Sequence, residues 1–181
     1  MSPTPDGQQI GSHAGITFTV RGADCIDELE PLWLHLFDHH ASTGNAGIRS
    51  IDRSQSWPRR RKLYESLFAE PGTFVILAER DGEPVGYALC HLREGPDDTW
   101  DTGDSLGEIE TLVLGPDVRG NGVGSALMDA AEAELGRRGA HDIMTAVMEG
   151  NDRIRDFYLH RGMKPTVTYL MRLAPHKGAE S

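Results

Sequence analysis

A six-residue turn constrains this chain more than any other feature. Arg119-Gly120-Asn121-Gly122-Val123-Gly124 carries glycine at alternate positions. Ahead of it, Glu108 to Leu114 (EIETLVL) is aliphatic and β-branched, which predicts a strand. Behind it, Leu127, Ala131 and Leu135 share one helical face, which predicts a helix from Ser125 to about Arg138. Glycine reaches left-handed angles and lets a ligand approach the main chain closely. A helix starting directly after such a turn points free N–H groups and its positive dipole end outward. Strand, glycine turn and helix together suit a phosphate or pyrophosphate.

The spacing narrows the ligand. A nucleotide loop needs a lysine after its last glycine, and none follows Gly124. A dinucleotide fingerprint needs G-x-G-x-x-G, but Ser125 stands where the last glycine is required. The acidic residue that should close the next strand is also misplaced, because Asp142 opens its strand. An NAD(P)-dependent oxidoreductase is therefore the weakest reading.

The rest of the chain reads as one α/β domain over residues 16–174. Residues 1–15 contain Pro3, Pro5, Gly7, Gly11 and Gly15 and read as a flexible tail, and residues 175–181 read as frayed. Strands are expected at Ile16–Arg21, Thr73–Glu79, Val85–Leu92, Glu108–Leu114, Asp142–Met148 and Lys164–Leu173. Asp81-Gly82 marks a hairpin between the second and third. Helices are expected after Asp24, from Ser56-Pro58 to Phe68, and from Asp152 to His160. The basic run Arg59-Arg60-Arg61-Lys62 reads as a solvated helix face.

Charge and composition exclude several function classes. Eighteen basic residues face 28 acidic ones, for a net charge of -10, which argues against a nucleic-acid partner. No apolar run is long enough to span a bilayer, so no membrane partner is expected. Two cysteines and the lack of a signal-like N-terminus fit a cytoplasmic protein. Seven acidic residues and no basic one lie between Glu94 and Glu110: Glu94, Asp97, Asp98, Asp101, Asp104, Glu108 and Glu110. Such a loop is a solvated surface or helps gather a cationic amine. His35 and His39 lie four apart on a helix, but no third ligand is evident, so no metal is expected. Cys90 reads as a core strand residue.

The turn and its surroundings resemble the GNAT superfamily of acyl-CoA-dependent N-acetyltransferases. Arg119 to Gly124 fits the family's [RQ]-x-x-G-x-[GA] at every defined position. Leu112-Val113-Leu114-Gly115-Pro116 follows L-x-V-x-P, with Leu for Val. Further on, N-x-x-A-x-x-[LF]-Y matches Asn151 to Tyr158 with Ile154 for Ala, and the family's G-F becomes Gly162-Met163. The resemblance implies a mostly antiparallel mixed sheet, splayed at the fourth strand and flanked by helices. It also implies acetyl-CoA as co-substrate, no metal, and direct attack by a primary amine of a small molecule or peptide. The alternative is a catalytically silent domain that binds acyl-CoA as a sensor or partner module.

The family's site residues map onto this chain through those motifs. Leu112, Val113 and Leu114 would bind the pantetheine arm and polarise the thioester. The N–H groups of Arg119, Gly120, Asn121, Gly122, Val123, Gly124 and Ser125 would hold the pyrophosphate. Asn151 would hydrogen-bond the arm. Tyr158 would protonate the departing thiolate. An alkylamine stays protonated near neutral pH, so a base must accept its proton. The base would be Glu108 or Glu110, which share one strand face with Leu112 at period two. Trp33, Phe37 and His40 would wall the acceptor site. Only one strand, Lys164–Leu173, stands where the family has a closing hairpin. Either that hairpin is short or a partner chain completes the site, and a homodimer is expected.

Overall fold

A computed structural model describes residues 3–43, 49–95 and 101–173. Its strands are β1 (Gln9–His13), β2 (Ile16–Arg21), β3 (Phe74–Arg80), β4 (Glu83–Arg93), β5 (Leu106–Leu114) and β6 (Asp142–Thr145). Its α-helices are α1 (Glu30–Ser42), α2 (Arg53–Phe68), α3 (Val123–Arg137) and α4 (Asp152–His160). A 3-10 turn, Ala23–Leu29, leads into α1. The six strands form one sheet in chain order. Neighbours from β1 to β5 are antiparallel, and β5 and β6 are parallel. This is the expected mixed α/β architecture. The strand expected as fourth is β5, because β1 precedes the others.

Side-chain alternation splits the core into two layers. Phe18, Phe74, Ile76, Ala88, Cys90 and Ile109 face α3, meeting Leu127, Met128, Ala131 and Leu135. Val75, Leu77, Tyr87, Leu89 and Val113 face α1 and α2, meeting Leu29, Trp33, Trp57 and Tyr64. β3 is central, so five successive residues from Phe74 to Ala78 are buried. Asp81 (φ 53°) and Gly82 (φ 84°) form the β3–β4 turn, and left-handed angles at both positions suit that tight hairpin.

The N-terminal segment is not a free tail. Gln9–His13 pairs with β2, Ile10 packs on the core, and Thr4 hydrogen-bonds the buried Glu134 of α3. Pairing with the otherwise open edge of β2 holds this strand, and edge pairing leaves little mark on a polar sequence. The second helix also starts earlier than expected. Asp52 caps it by accepting the Ser54 N–H at 2.8 Å, while Ser56 is buried and accepts the Trp33 indole N–H at 2.9 Å. The ladder of β6 stops at Thr145 rather than Met148.

The last expected strand, Lys164–Leu173, is absent. These residues are described but join no ladder, and every one is exposed. Tyr169 and Leu170 are 85% and 91% accessible. Strand propensity is realised only where a neighbouring edge is joined, and among the described residues this segment joins none. Residues 175–181 and the acidic Asp97 and Asp98 lie outside the described residues.

Candidate active site

β5 positions the chemistry through one extra residue. Leu89 pairs with Thr111 and Cys90 with Ile109, so Glu110 is unmatched and forms a bulge. A bulge shifts the phase of alternation. Glu108 and Glu110 share the α1–α2 side, but Leu112, expected on the same face, does not. Leu112 and Leu114 pack toward α3, and Val113 turns to α1 and α2. The period-two argument fails at this one residue.

The same strand opens a fork. β5 and β6 pair from Leu106–Asp142 to Ile109–Thr145 and then part. The Thr145 hydroxyl donates to the Ile109 carbonyl at 2.9 Å at the point of parting. Beyond it, no described strand covers the outer edge of Glu110 to Leu114.

The glycine turn lies at the open end of the fork. Gly120 (φ 88°) and Gly122 (φ 76°) take left-handed angles, and Gly122 caps α3. Among the described residues, the amides of Gly120 to Ser125 donate to no backbone carbonyl. The Arg119 amide differs from that expectation, since it is tied back to the Pro116 carbonyl. Its guanidinium donates to the Leu114 carbonyl at 3.1 and 3.3 Å and to His35 Nε2 at 2.8 Å. Arginine has no acceptor, so this His35 nitrogen is the unprotonated one. Arg119 thus fastens the end of β5 to the turn and to α1.

The α1–α2 face of β5 carries the two glutamates. Glu108 lies 2.7 Å from Arg93 and 3.5 Å from His91. Glu110 accepts from Arg60 at 2.5 Å, and Arg60 sits 3.8 Å from the centre of the Trp33 ring. Arg60 is therefore not on a solvated face. It points inward with Tyr64, one turn on, and the cue for that was the i, i+4 pairing of the two. Tyr64 hydrogen-bonds the Thr111 hydroxyl at 2.7 Å and the Tyr87 hydroxyl at 2.9 Å, which braces the bulge from beneath. His40 is half-buried near Arg60 and titrates below its ordinary value, through burial and the nearby His39 and Arg60. Phe37 is half-buried on the same helix. Trp33, His40 and the two glutamates are thus gathered at one side.

His91, Glu108 and Glu110 bring their ligand atoms within 4.8 Å of one another, a grouping the sequence reading missed. Arg93 and Arg60 already pair with its two carboxylates.

The opposite face carries a buried tyrosine. Tyr158 of α4 is buried in the α3-side layer with Ile109 and Cys90. Burial raises its hydroxyl pKa above the ordinary 10, against the pull of the Thr145 hydroxyl. The group is protonated at neutral pH. Asn151 is buried at the start of α4, and its side chain does not cap that helix. Cys90 is buried and its thiol pKa is pushed far up by desolvation, which suits a core residue and not a nucleophile. Among the described residues, no helix is long and apolar enough to cross a membrane.

Residues 34–163 match the acetyltransferase (GNAT) family. An uncharacterized N-acetyltransferase of Mycobacterium bovis is 30% identical over 113 residues, covering 62% of this chain and 67% of that protein. A mycothiol acetyltransferase of Cellulomonas flavigena is 27% identical over 182 residues, 97% of this chain. The chain spans about half the length of that relative, 47%. A predicted acetyltransferase of Clostridium acetobutylicum, solved with acetyl-CoA, shares the fold with a TM-score of 0.67 at 18% identity. That likeness covers 87% of this chain and 96% of the other. With the family's motif turn, forked sheet and bulged strand all in place, the chain belongs to the GNAT family of acetyltransferases.

Proposed function

We propose that this protein transfers the acetyl group of acetyl-CoA to a primary amine by direct attack. One observation carries the reading: carboxylates lie on one face of β5, a buried protonated tyrosine lies on the other, and an open strand edge runs between them. The residues present fit the co-substrate. The free amides of Gly120 to Ser125 receive its diphosphate, and left-handed glycines keep side chains out of that seat. The edge of Leu112 to Leu114 and the Asn151 amide receive the pantetheine arm. Bound acetyl-CoA supplies an activated thioester.

Within that arrangement Glu108 takes the amine proton. Both glutamates hold an arginine, but the two arginines differ. Arg93 is 49% exposed and free to swing into water, whereas Arg60 is 21% exposed and held against Trp33. Glu108 is therefore the one able to release its partner. Backbone N–H groups at the bulge stabilise charge developing on the acyl oxygen. The Tyr158 hydroxyl delivers a proton to the departing sulfur. Trp33, Phe37 and His40 shape the acceptor site.

Those same arginine pairs favour one second reading, a silent acyl-CoA-binding module. Thermal melting with acetyl-CoA, CoA and NAD, followed by thiol release across an amine panel, separates the readings. A ligand at 100 times its Kd adds about 2.7 kcal/mol, enough to move the melting point by several degrees. Stabilisation by both CoA species but not by NAD, with thiol release, is expected. Stabilisation without turnover on any amine selects the silent module, and no stabilisation overturns both.

A further inference from the structure

The N-terminal segment runs along α3 and is fastened near both ends of that helix. Near its C-terminal end, the Thr4 amide and hydroxyl donate to the buried Glu134 carboxylate at 3.0 and 2.6 Å. At its N-terminal turn, His13 at the end of β1 lies 2.8 Å from the Asn121 carbonyl oxygen through Nε2. A carbonyl only accepts, so His13 carries its proton on Nε2 and donates it. His13 is 108 residues away from Asn121 in sequence, and its ring is exposed.

Asn121 is the central residue of the glycine turn. In a planar trans peptide, the Asn121 carbonyl and the Gly122 N–H point in opposite directions. Drawing the carbonyl to β1 turns the Gly122 N–H to the other side. Glycine at 122 makes the alternative cheap, because its φ is scarcely restricted and the peptide is able to flip. A flipped peptide would put a carbonyl oxygen where an anion needs a donor.

We propose that His13 is a positioning residue for the anion seat, a latch that holds the Asn121–Gly122 peptide with its N–H available to the co-substrate diphosphate. The proposal rests on the reading of the glycine turn as the acetyl-CoA diphosphate site. It gives the added N-terminal strand a part in co-substrate affinity. The position of Gly122 agrees, since a Cβ there would stand 3.0 Å from the His13 ring nitrogen. Latch and glycine are fitted to each other.

The test compares acetyl-CoA with S-acetylpantetheine, which has the same thioester and lacks the diphosphate. His13→Ala weakens acetyl-CoA binding about tenfold, the size of one well-placed hydrogen bond, while kcat at saturation holds. kcat/KM for S-acetylpantetheine does not change. His13→Gln, which keeps a donor, recovers acetyl-CoA affinity. Three results overturn the latch: unchanged acetyl-CoA affinity in His13→Ala, equal loss with both thioesters, or no recovery in His13→Gln. Equal loss with a lowered melting point assigns His13 to holding β1 alone. Wild-type protein that fails to bind acetyl-CoA overturns the acetyl-CoA reading itself, and the latch falls with it.

Discussion

Arg60 reaches from α2 to hold Glu110 at the β5 bulge, 2.5 Å from its carboxylate, with its guanidinium over the Trp33 ring. The pair keeps the Glu110 carboxylate engaged by a half-buried cation that is itself held against Trp33. Glu108 pairs instead with Arg93, which is 49% exposed. Glu108→Gln is expected to lower kcat/KM about a hundredfold or more, the usual scale of lost general-base catalysis. Glu110→Gln is expected to lower it less and to cost about 1 kcal/mol of stability. Steady-state thiol release and denaturant unfolding of both variants check this, and the reverse order of rates assigns the base to Glu110.

Tyr158→Phe removes the proposed proton donor without opening a cavity. We expect kcat to fall about a hundredfold and acetyl-CoA binding to hold. Because burial raises the Tyr158 hydroxyl pKa above its ordinary value, its ionisation leaves the wild-type rate undisturbed around neutral pH. A rate loss tracking tyrosine ionisation near neutral pH contradicts the assignment.

Glu134 sets the acid limit of the N-terminal strand. Burial alone would raise its pKa above 4.5, but hydrogen bonds from Thr4, Arg137 and Arg138 outweigh burial and lower it. A lowered folded pKa stabilises the protein fully above the unfolded value, and that stability is lost as pH falls through the folded value. Glu134→Gln is therefore expected to cost about 1–3 kcal/mol at pH 7, a deficit that shrinks below about pH 4.5. Denaturant unfolding at several pH values measures it, and a deficit independent of pH contradicts it.

Exposed Val167, Tyr169, Leu170, Met171 and Leu173 follow α4, and among the described residues they have no partner strand while β6 keeps a bare edge. We propose that a second copy covers them, consistent with the sequence expectation of a homodimer. Light scattering is expected to give a dimer for the full chain and a monomer after truncation at Met163. A monomeric full chain rejects the pairing.

Strands with aliphatic alternation were legible from sequence, and so were the β3–β4 turn at Asp81-Gly82 and the α4 span Asp152–His160. In each case local pattern and tertiary environment agree. The glycine turn was legible because only glycine tolerates its angles. What stayed hidden depends on distant partners. Gln9–His13 has almost no apolar pattern and becomes a strand only because β2 offers an edge. Arg60 looked like one charge of a surface run, and only Trp33 and Glu110 turn it inward. The Glu110 bulge is a matter of counting residues against β4, which one strand's sequence cannot do. Lys164–Leu173 had the converse fault, a strong strand pattern that joins no described edge.

The stitch from Thr145 to Ile109 has a mechanical consequence. It ties the two prongs of the sheet where they meet, while the Arg119 guanidinium holds the far end of β5 at the Leu114 carbonyl. The open edge of Glu110 to Leu114 is therefore strung between two fixed points.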